Sequence, residues 1–314
     1  MNAKVKPNLS SEIQEAFATP KIMHLVQRTL EEDFKTFEVP SPSELAEITV
    51  RSLIEAKDQY TVATARLALE VYPTWKQTNV RELYHAYNWR VERAGSAKVA
   101  APHIRGNSLV DLGGGPGTFA LEVLKLKPEQ NLKVTIADIS DWRNTQAKAN
   151  SSISYRALTI GGKLPFQNDE FDSGSLLYVL HHVETDHDEF LRECARCIRD
   201  TLILFEDVRI DQSLGIPKGE QRPARALEKD FTALDLKEQN LFIAAVDYIC
   251  NHIASQALDM PVPGKYFEFR ELETKLQKLF PKASVEKHYH GIYDQKCYPN
   301  PEAMYVVRFN KGGK

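Results

Sequence analysis

The stretch Val110-Asp111-Leu112-Gly113-Gly114-Gly115-Pro116-Gly117-Thr118 constrains this chain more than any other. Leu109 and Val110 read as the end of a short buried strand, and Phe119-Ala120-Leu121-Glu122-Val123-Leu124 as the start of a helix. Glycines between them let the backbone turn sharply and approach a ligand with no Cβ in the way. The helix then aims its unpaired N–H groups at the same spot. Strand, glycine turn and helix in that order predict an open α/β sheet holding a nucleotide-like ligand at its carboxyl edge. The dinucleotide spacing G-x-G-x-x-G fails from either start: from Gly113 its third glycine falls on Thr118, and from Gly114 its second falls on Pro116. The register that works is Gly113-x-Gly115-x-Gly117.

Residues 1–100 carry no strand-like alternation and predict helices throughout. Ser11-Glu12-Ile13-Gln14 and Ser41-Pro42-Ser43-Glu44 fit the capping-box pattern, the second with proline at the first helical position. Val80, Leu83, Tyr84, Tyr87 and Val91 recur along one helical face. This preface is expected to be a cap, a dimerisation arm or both, ahead of a domain over 101–314. From there strands and helices alternate. Lys133-Val134-Thr135-Ile136-Ala137 ends on Asp138, a weaker strand covers 153–158, and a fourth runs from Phe171 to Leu180. A helix over 185–199 leads into Thr201-Leu202-Ile203-Leu204-Phe205. This rhythm predicts a Rossmann-like, doubly wound, mostly parallel sheet. Residues 211–265 interrupt it as a helical insertion, with a long apolar helix near 236–258 and a Pro261-Val262-Pro263-Gly264 stop. A helix near 269–280 and strands near 283–291 and 302–309 follow, the last suited to a place next to the fifth or sixth strand.

A formal net charge of -3 argues against a broad electrostatic grip on nucleic acid. No apolar run reaches the roughly eighteen residues of a membrane span. The N-terminus lacks the apolar core of a secretory signal, and four cysteines make no disulfide framework, so a reducing cytoplasm is the expected compartment. Cys194 and Cys197 form a CxxC, but they share a helical face with Phe190, Leu191 and Ile198, and no second CxxC exists. Core packing is the expectation there, and no metal site.

Asp138 stands where a carboxylate can accept both hydroxyls of a ribose. Leu164-Pro165-Phe166 then precedes Glu170-Phe171-Asp172, and the fourth strand runs into Leu180-His181-His182-Val183. In this order the motifs resemble those of class I S-adenosylmethionine-dependent methyltransferases, over roughly residues 105–210. The resemblance implies that Gly113, Gly115 and Gly117 wrap the methionine and ribose portion of the cofactor. It gives Asp111 the amino end of the methionine, Asp138 the ribose hydroxyls, and Tyr178 a place near the transferable methyl group. The family's acid ahead of the Leu-Pro-Phe segment has no counterpart in Thr159-Ile160-Gly161-Gly162-Lys163.

Methyl transfer from a sulfonium is an in-line displacement that needs alignment first, and a base only where the acceptor arrives protonated. No triad is therefore expected. His182 and His252 are the candidate bases, with Asp207 and Tyr266 as candidate substrate contacts and His181 and Glu206 beside them. His288 and His290 are expected on an exposed strand face. Leu177-Tyr178-Val179-Leu180 stands where methyltransferases of amide or exocyclic nitrogens often carry Asn/Asp-Pro-Pro-Tyr, which favours a small-molecule acceptor. The VDLGGGPG, LHHV and LFEDV segments also look like those of small-molecule O-methyltransferases, whose helical N-terminal regions often dimerise. The expectation is transfer to an oxygen, ahead of a nitrogen or carbon, of a small metabolite, with a homodimer through the N-terminal helices. An RNA or protein methyltransferase and a non-catalytic cofactor-binding protein are the alternatives.

Overall fold

Leu109, Val110 and Leu112 are buried to within 1% in β1 (Ser108–Leu112), an inner strand of an eight-stranded sheet. The computed structural model describes residues 9–36, 38–55, 93–159, 161, 163–184, 186–214, 226–254, 260–291 and 301–309. β2 (Lys133–Asp138) and β3 (Ile153–Ala157) lie parallel on one side of β1. β4 (Phe171–Leu177) and β5 (Ile198–Arg209) lie parallel on the other. After β6 (Phe267–Glu268), a short parallel partner of the end of β5, come β7 (Ser284–Gly291) and β8 (Glu302–Arg308). The main order is β3-β2-β1-β4-β5-β8-β7, with β8 antiparallel to both its neighbours. The chain therefore reverses its direction of travel between β1 and β4. That opens a crevice at their carboxyl ends, the place where sheets of this type bind ligands.

Alternation along the strands covers both faces. Val110, Leu112, Leu176 and Leu204 pack against Leu191, Cys194 and Cys197 of α7 (His187–Cys197) and Leu272 and Leu276 of α10 (Phe269–Leu279). Leu109, Ile136, Ile203 and Met304 face α4 (Arg93–Ala100), α5 (Thr118–Leu126) and α6 (Thr145–Ala149). The two cysteines are core residues, as expected. Burial raises both thiol pKa values, that of Cys197 to about 12, which keeps them protonated and unreactive.

β5 runs past Phe205 because β8 pairs with it through Asp207 and β6 with Val208 and Arg209. The polar pair Glu206-Asp207, which reads as a strand end, is thus held inside the sheet. β4 stops earlier than expected, at Leu177, because Tyr178 takes a left-handed conformation (φ 56°). His290 corrects the exposed-face reading. It is 4% exposed, with its ring stacked on Phe205 at 5.9 Å, while His288 is partly exposed beside it. The helical pattern over 80–91 lies outside the described residues.

The remaining helices form a second core. α1 (Ser11–Ala18), α2 (Pro20–Thr36) and α3 (Pro42–Glu55) pack with α8 (Ala226–Thr232) and α9 (Leu236–Tyr248). The cap of α1 is Ser10, one residue before the expected position, with its hydroxyl accepting from the Ile13 amide. Pro42 opens α3 as expected. α9 is buried without a break from Leu241 to Tyr248, Asp247 included, so it is buried around its circumference and runs between layers. Phe17 meets Tyr248 edge-on at 5.7 Å, which joins the N-terminal helices to the insertion. Beyond Tyr248 the helix widens into a π-helical turn over Ile249–Ala254.

Candidate active site at the carboxyl edge of the sheet

The glycine turn is strained for any other residue. Gly113 and Gly117 have φ of 68° and 80°, and a Cβ at Gly113 would meet Val179 Cγ2 at 2.5 Å. A Cβ at Gly114 would collide with the Asp111 carboxylate, so the turn closes directly over that side chain. Asp111 is 2% exposed. The Ser175 hydroxyl donates to its Oδ1 at 2.7 Å, while Oδ2 is buried with no hydrogen-bond partner. Burial pushes its pKa up to about 7, against the Ser175 bond and the positive charge of Arg93, with Asp138 adding a smaller rise. A buried carboxylate oxygen left without a donor is costly unless a ligand supplies one.

Asp138 ends β2 on the far side of the turn. Its Oδ2 accepts from the Gly115 amide at 3.0 Å and its Oδ1 from Ile139 at 2.7 Å. Burial raises its pKa, and these amides hold it back. Asn144 N–H bonds Pro116 O at 3.0 Å, which fastens the loop after Asp138 onto the glycine turn. Tyr178 faces the same crevice from β4. Its backbone N–H bonds Phe205 O at 2.8 Å, and its hydroxyl lies 3.4 Å from Ser96 Oγ of α4.

Beyond Tyr178 the chain makes a short 3₁₀ turn, Leu180–His182, that carries a polar cluster. His181 Nδ1 lies 2.5 Å from Glu206 Oε2, and Glu206 Oε1 accepts from the Val179 and Leu180 amides. Burial works against the imidazolium of His181, but Glu206, helped by Asp247 and Asp207, outweighs it and raises the His181 pKa. The ring stacks on Tyr266 at 4.5 Å, and Tyr266 donates its hydroxyl to Asp247.

His182 and His252 both point to one segment. His182 Nδ1–H donates to Pro261 O at 3.3 Å and His252 Nε2–H to Met260 O at 3.0 Å. Asp247 accepts from the Gly264 amide at 2.7 Å, and Lys265 N–H bonds His181 O at 2.7 Å. The Pro-Val-Pro-Gly stretch is therefore strapped across the carboxyl end of β4. His182 is held well below the ordinary histidine pKa by burial and by the charge of His181. Among the described residues, no three His, Cys, Asp or Glu side chains gather into a metal-binding set.

Residues 110–204 match the methyltransferase domain family. The chain carries a class I methyltransferase domain. No curated protein matches it significantly in sequence. Its fold is similar to that of the DszA carbon methyltransferase, at 11% identity and a TM-score of 0.51, over 90% of this chain and 70% of that one. The CurJ carbon methyltransferase aligns over 90% and 69% at 14% identity and a TM-score of 0.49. An O-methyltransferase family protein from Burkholderia thailandensis aligns over 74% of this chain and 60% of its own, at 14% identity and a TM-score of 0.47. At these identities the likeness is one of fold.

S-adenosylmethionine is the cofactor of this methyltransferase, and the crevice fits it. Asp111 Oδ2 is an orphaned acceptor for an ammonium group, and the glycines let the turn pack tightly against Val179 and the Asp111 carboxylate, where any side chain would collide. The structure brings Asp111, Gly113, Gly115, Gly117, Asp138 and Tyr178 to one crevice. It gathers His181, His182, Glu206, Asp247, His252 and Tyr266 into a neighbouring cluster, with Asp207 at the end of β5 close enough to act on His181 and Tyr266. Sequence reading missed the His181–Glu206 pair as a unit, which joins the turn after β4 to the interior of β5. It missed Arg93, and no local motif marks that residue.

Proposed function

We propose that the protein moves a methyl group from S-adenosylmethionine to an oxygen of a small metabolite. The observation that carries the reading is Asp111. Its buried, unpartnered Oδ2 under a glycine turn is suited to the amino end of the cofactor. Asp138 would take the ribose hydroxyls, and Gly113, Gly115 and Gly117 would wrap the methionine and ribose portion. When bound, the cofactor supplies a methyl group on a sulfonium whose leaving group is already activated. The chain's own task is then to hold the acceptor in line and keep water out.

Tyr178 and the 180–182 turn border the acceptor side. His182 is the group proposed to take the acceptor's proton. Its Nδ1–H is engaged with Pro261 O, so the lone pair sits on Nε2, and its low pKa keeps it neutral at physiological pH. Proton removal is needed for a hydroxyl acceptor, which supports oxygen over a neutral amine. His252, with Nε2–H on Met260 O, supports a role in holding the strap. Asp207 is the proposed substrate contact at the end of β5, and Tyr266 lines the wall behind it. The described N-terminal helices give their apolar faces to α8 and α9, which favours a lid over a dimerisation arm.

The test is calorimetry with S-adenosylhomocysteine, then transfer of label from methyl-tritiated S-adenosylmethionine to pools of small hydroxylated compounds, to RNA and to protein. Binding, with label in the small-molecule pool, is the expected result. Label confined to RNA or protein overturns the substrate class, and absence of binding overturns the cofactor roles.

A further inference from the structure

The methionine end of the cofactor is a zwitterion, with an ammonium and a carboxylate on the same carbon. Asp111 answers only the first charge. The carboxylate would then approach a crevice whose acids are Asp111 and Asp138, and like charges in a partly dry site repel strongly. A cation there would balance it, and neither the glycine turn nor β4 carries one. A candidate stands outside the segment that matches the methyltransferase family.

Arg93 is the first residue of α4, which packs against α5 on the face of the sheet. Its guanidinium carbon lies 4.1 Å from the centre of the Tyr178 ring, and its charge acts on the Asp111 carboxyl. Ser96, one turn along α4, lies with its hydroxyl 3.4 Å from that of Tyr178, so the same ring fixes both residues. Tyr178 is itself set by its left-handed backbone and its bond to Phe205 O. Arg93 is therefore held half-buried over Tyr178, close enough for its charge to act on Asp111. A planar guanidinium both stacks on an aromatic ring and presents paired N–H groups to a carboxylate, which a lysine does not.

We propose that Arg93 binds the carboxylate of the cofactor's methionine end, so that Arg93 and Asp111 together clamp the zwitterion. The proposal rests on the cofactor assignment, and it makes the N-terminal region part of the cofactor site.

The test compares two ligands by calorimetry: S-adenosylhomocysteine, and its decarboxylated analogue, which keeps the amine and lacks the carboxylate. Arg93→Met retains an unbranched stem over Tyr178 and removes the charge. It is expected to weaken S-adenosylhomocysteine by roughly 10- to 100-fold and to leave the analogue within about threefold. Arg93→Lys, which keeps the charge without the fork, should fall between, and it serves if the methionine variant does not fold. Equal losses for both ligands in the variants, or no loss for either, overturn the proposal and leave the cofactor assignment standing. A wild-type protein that binds neither ligand overturns both.

Discussion

Replacing Asp111 by asparagine should make the ligand-free protein more stable while removing cofactor binding. Asn is nearly isosteric, and its Oδ1 can still accept from Ser175, so the packing of β1 against β4 is kept. What changes is the ionisation. The folded carboxyl titrates at about 7 against an ordinary 3.8, a gap of about three pH units, and each unit corresponds to about 1.4 kcal/mol. Between those two pKa values the folded protein holds a proton that the unfolded chain has released. Wild-type stability therefore falls as pH rises through this window and is level above it. Asparagine removes that fall. Its advantage should approach about 4 kcal/mol as a ceiling at pH 8, and less than half of that at pH 5. Thermal denaturation at both values would read this as a rise in Tm of several degrees at pH 8 and a smaller one at pH 5. S-adenosylhomocysteine should then raise the Tm of the wild type and not of the variant. A variant that is no more stable than wild type at pH 8, or whose gap does not shrink at pH 5, refutes the reasoning.

Asp138→Ala should weaken S-adenosylhomocysteine more than tenfold by calorimetry, on the order of the 1.5–3 kcal/mol of hydrogen bonds to a charged group; unchanged affinity removes the ribose role. Wild-type affinity for the same ligand should fall toward tenfold per pH unit below about 7, because Asp111 must ionise to receive the ammonium; a flat profile from pH 6 to 8 contradicts this. Glu206→Gln should cost about 3–5 kcal/mol, as loss of one partner of a buried pair does. His181 has a raised folded pKa, so its contribution is fully present below its unfolded pKa and lost as pH rises through the folded one. The Tm loss of Glu206→Gln should accordingly be largest near pH 5–6. Cys194 and Cys197 should resist thiol-labelling reagents until the protein unfolds, and labelling of native protein would show that the helix opens.

The crevice formed by the glycine turn, Asp111 and Asp138 was legible because it is local. A glycine turn is written in consecutive residues, and Asp138 follows a strand that its own Val134 and Ile136 announce. The strap histidines were not legible in the same way. His182 and His252 are chemically apt bases in a list, but one ring nitrogen of each is engaged, by Pro261 O and Met260 O, and only folding brings those carbonyls to them. His290 reads as a surface residue by its strand spacing. It is buried because β7 pairs on β8 and its ring meets Phe205.

By itself, then, the sequence determined the parallel sheet, its glycine turn and the two carboxylates at the ends of β1 and β2. Backbone conformation and hydrophobic period are settled within a few neighbouring residues, and these features need nothing more. The tertiary structure alone decided that the N-terminal helices share one core with α8 and α9. It also decided that Glu206 pairs with His181, and that Arg93 of α4 comes to lie over Tyr178 within electrostatic reach of Asp111. Those contacts join residues 18 to more than 200 positions apart. They depend on which buried faces meet, a property of the packed molecule and not of any one stretch of the chain.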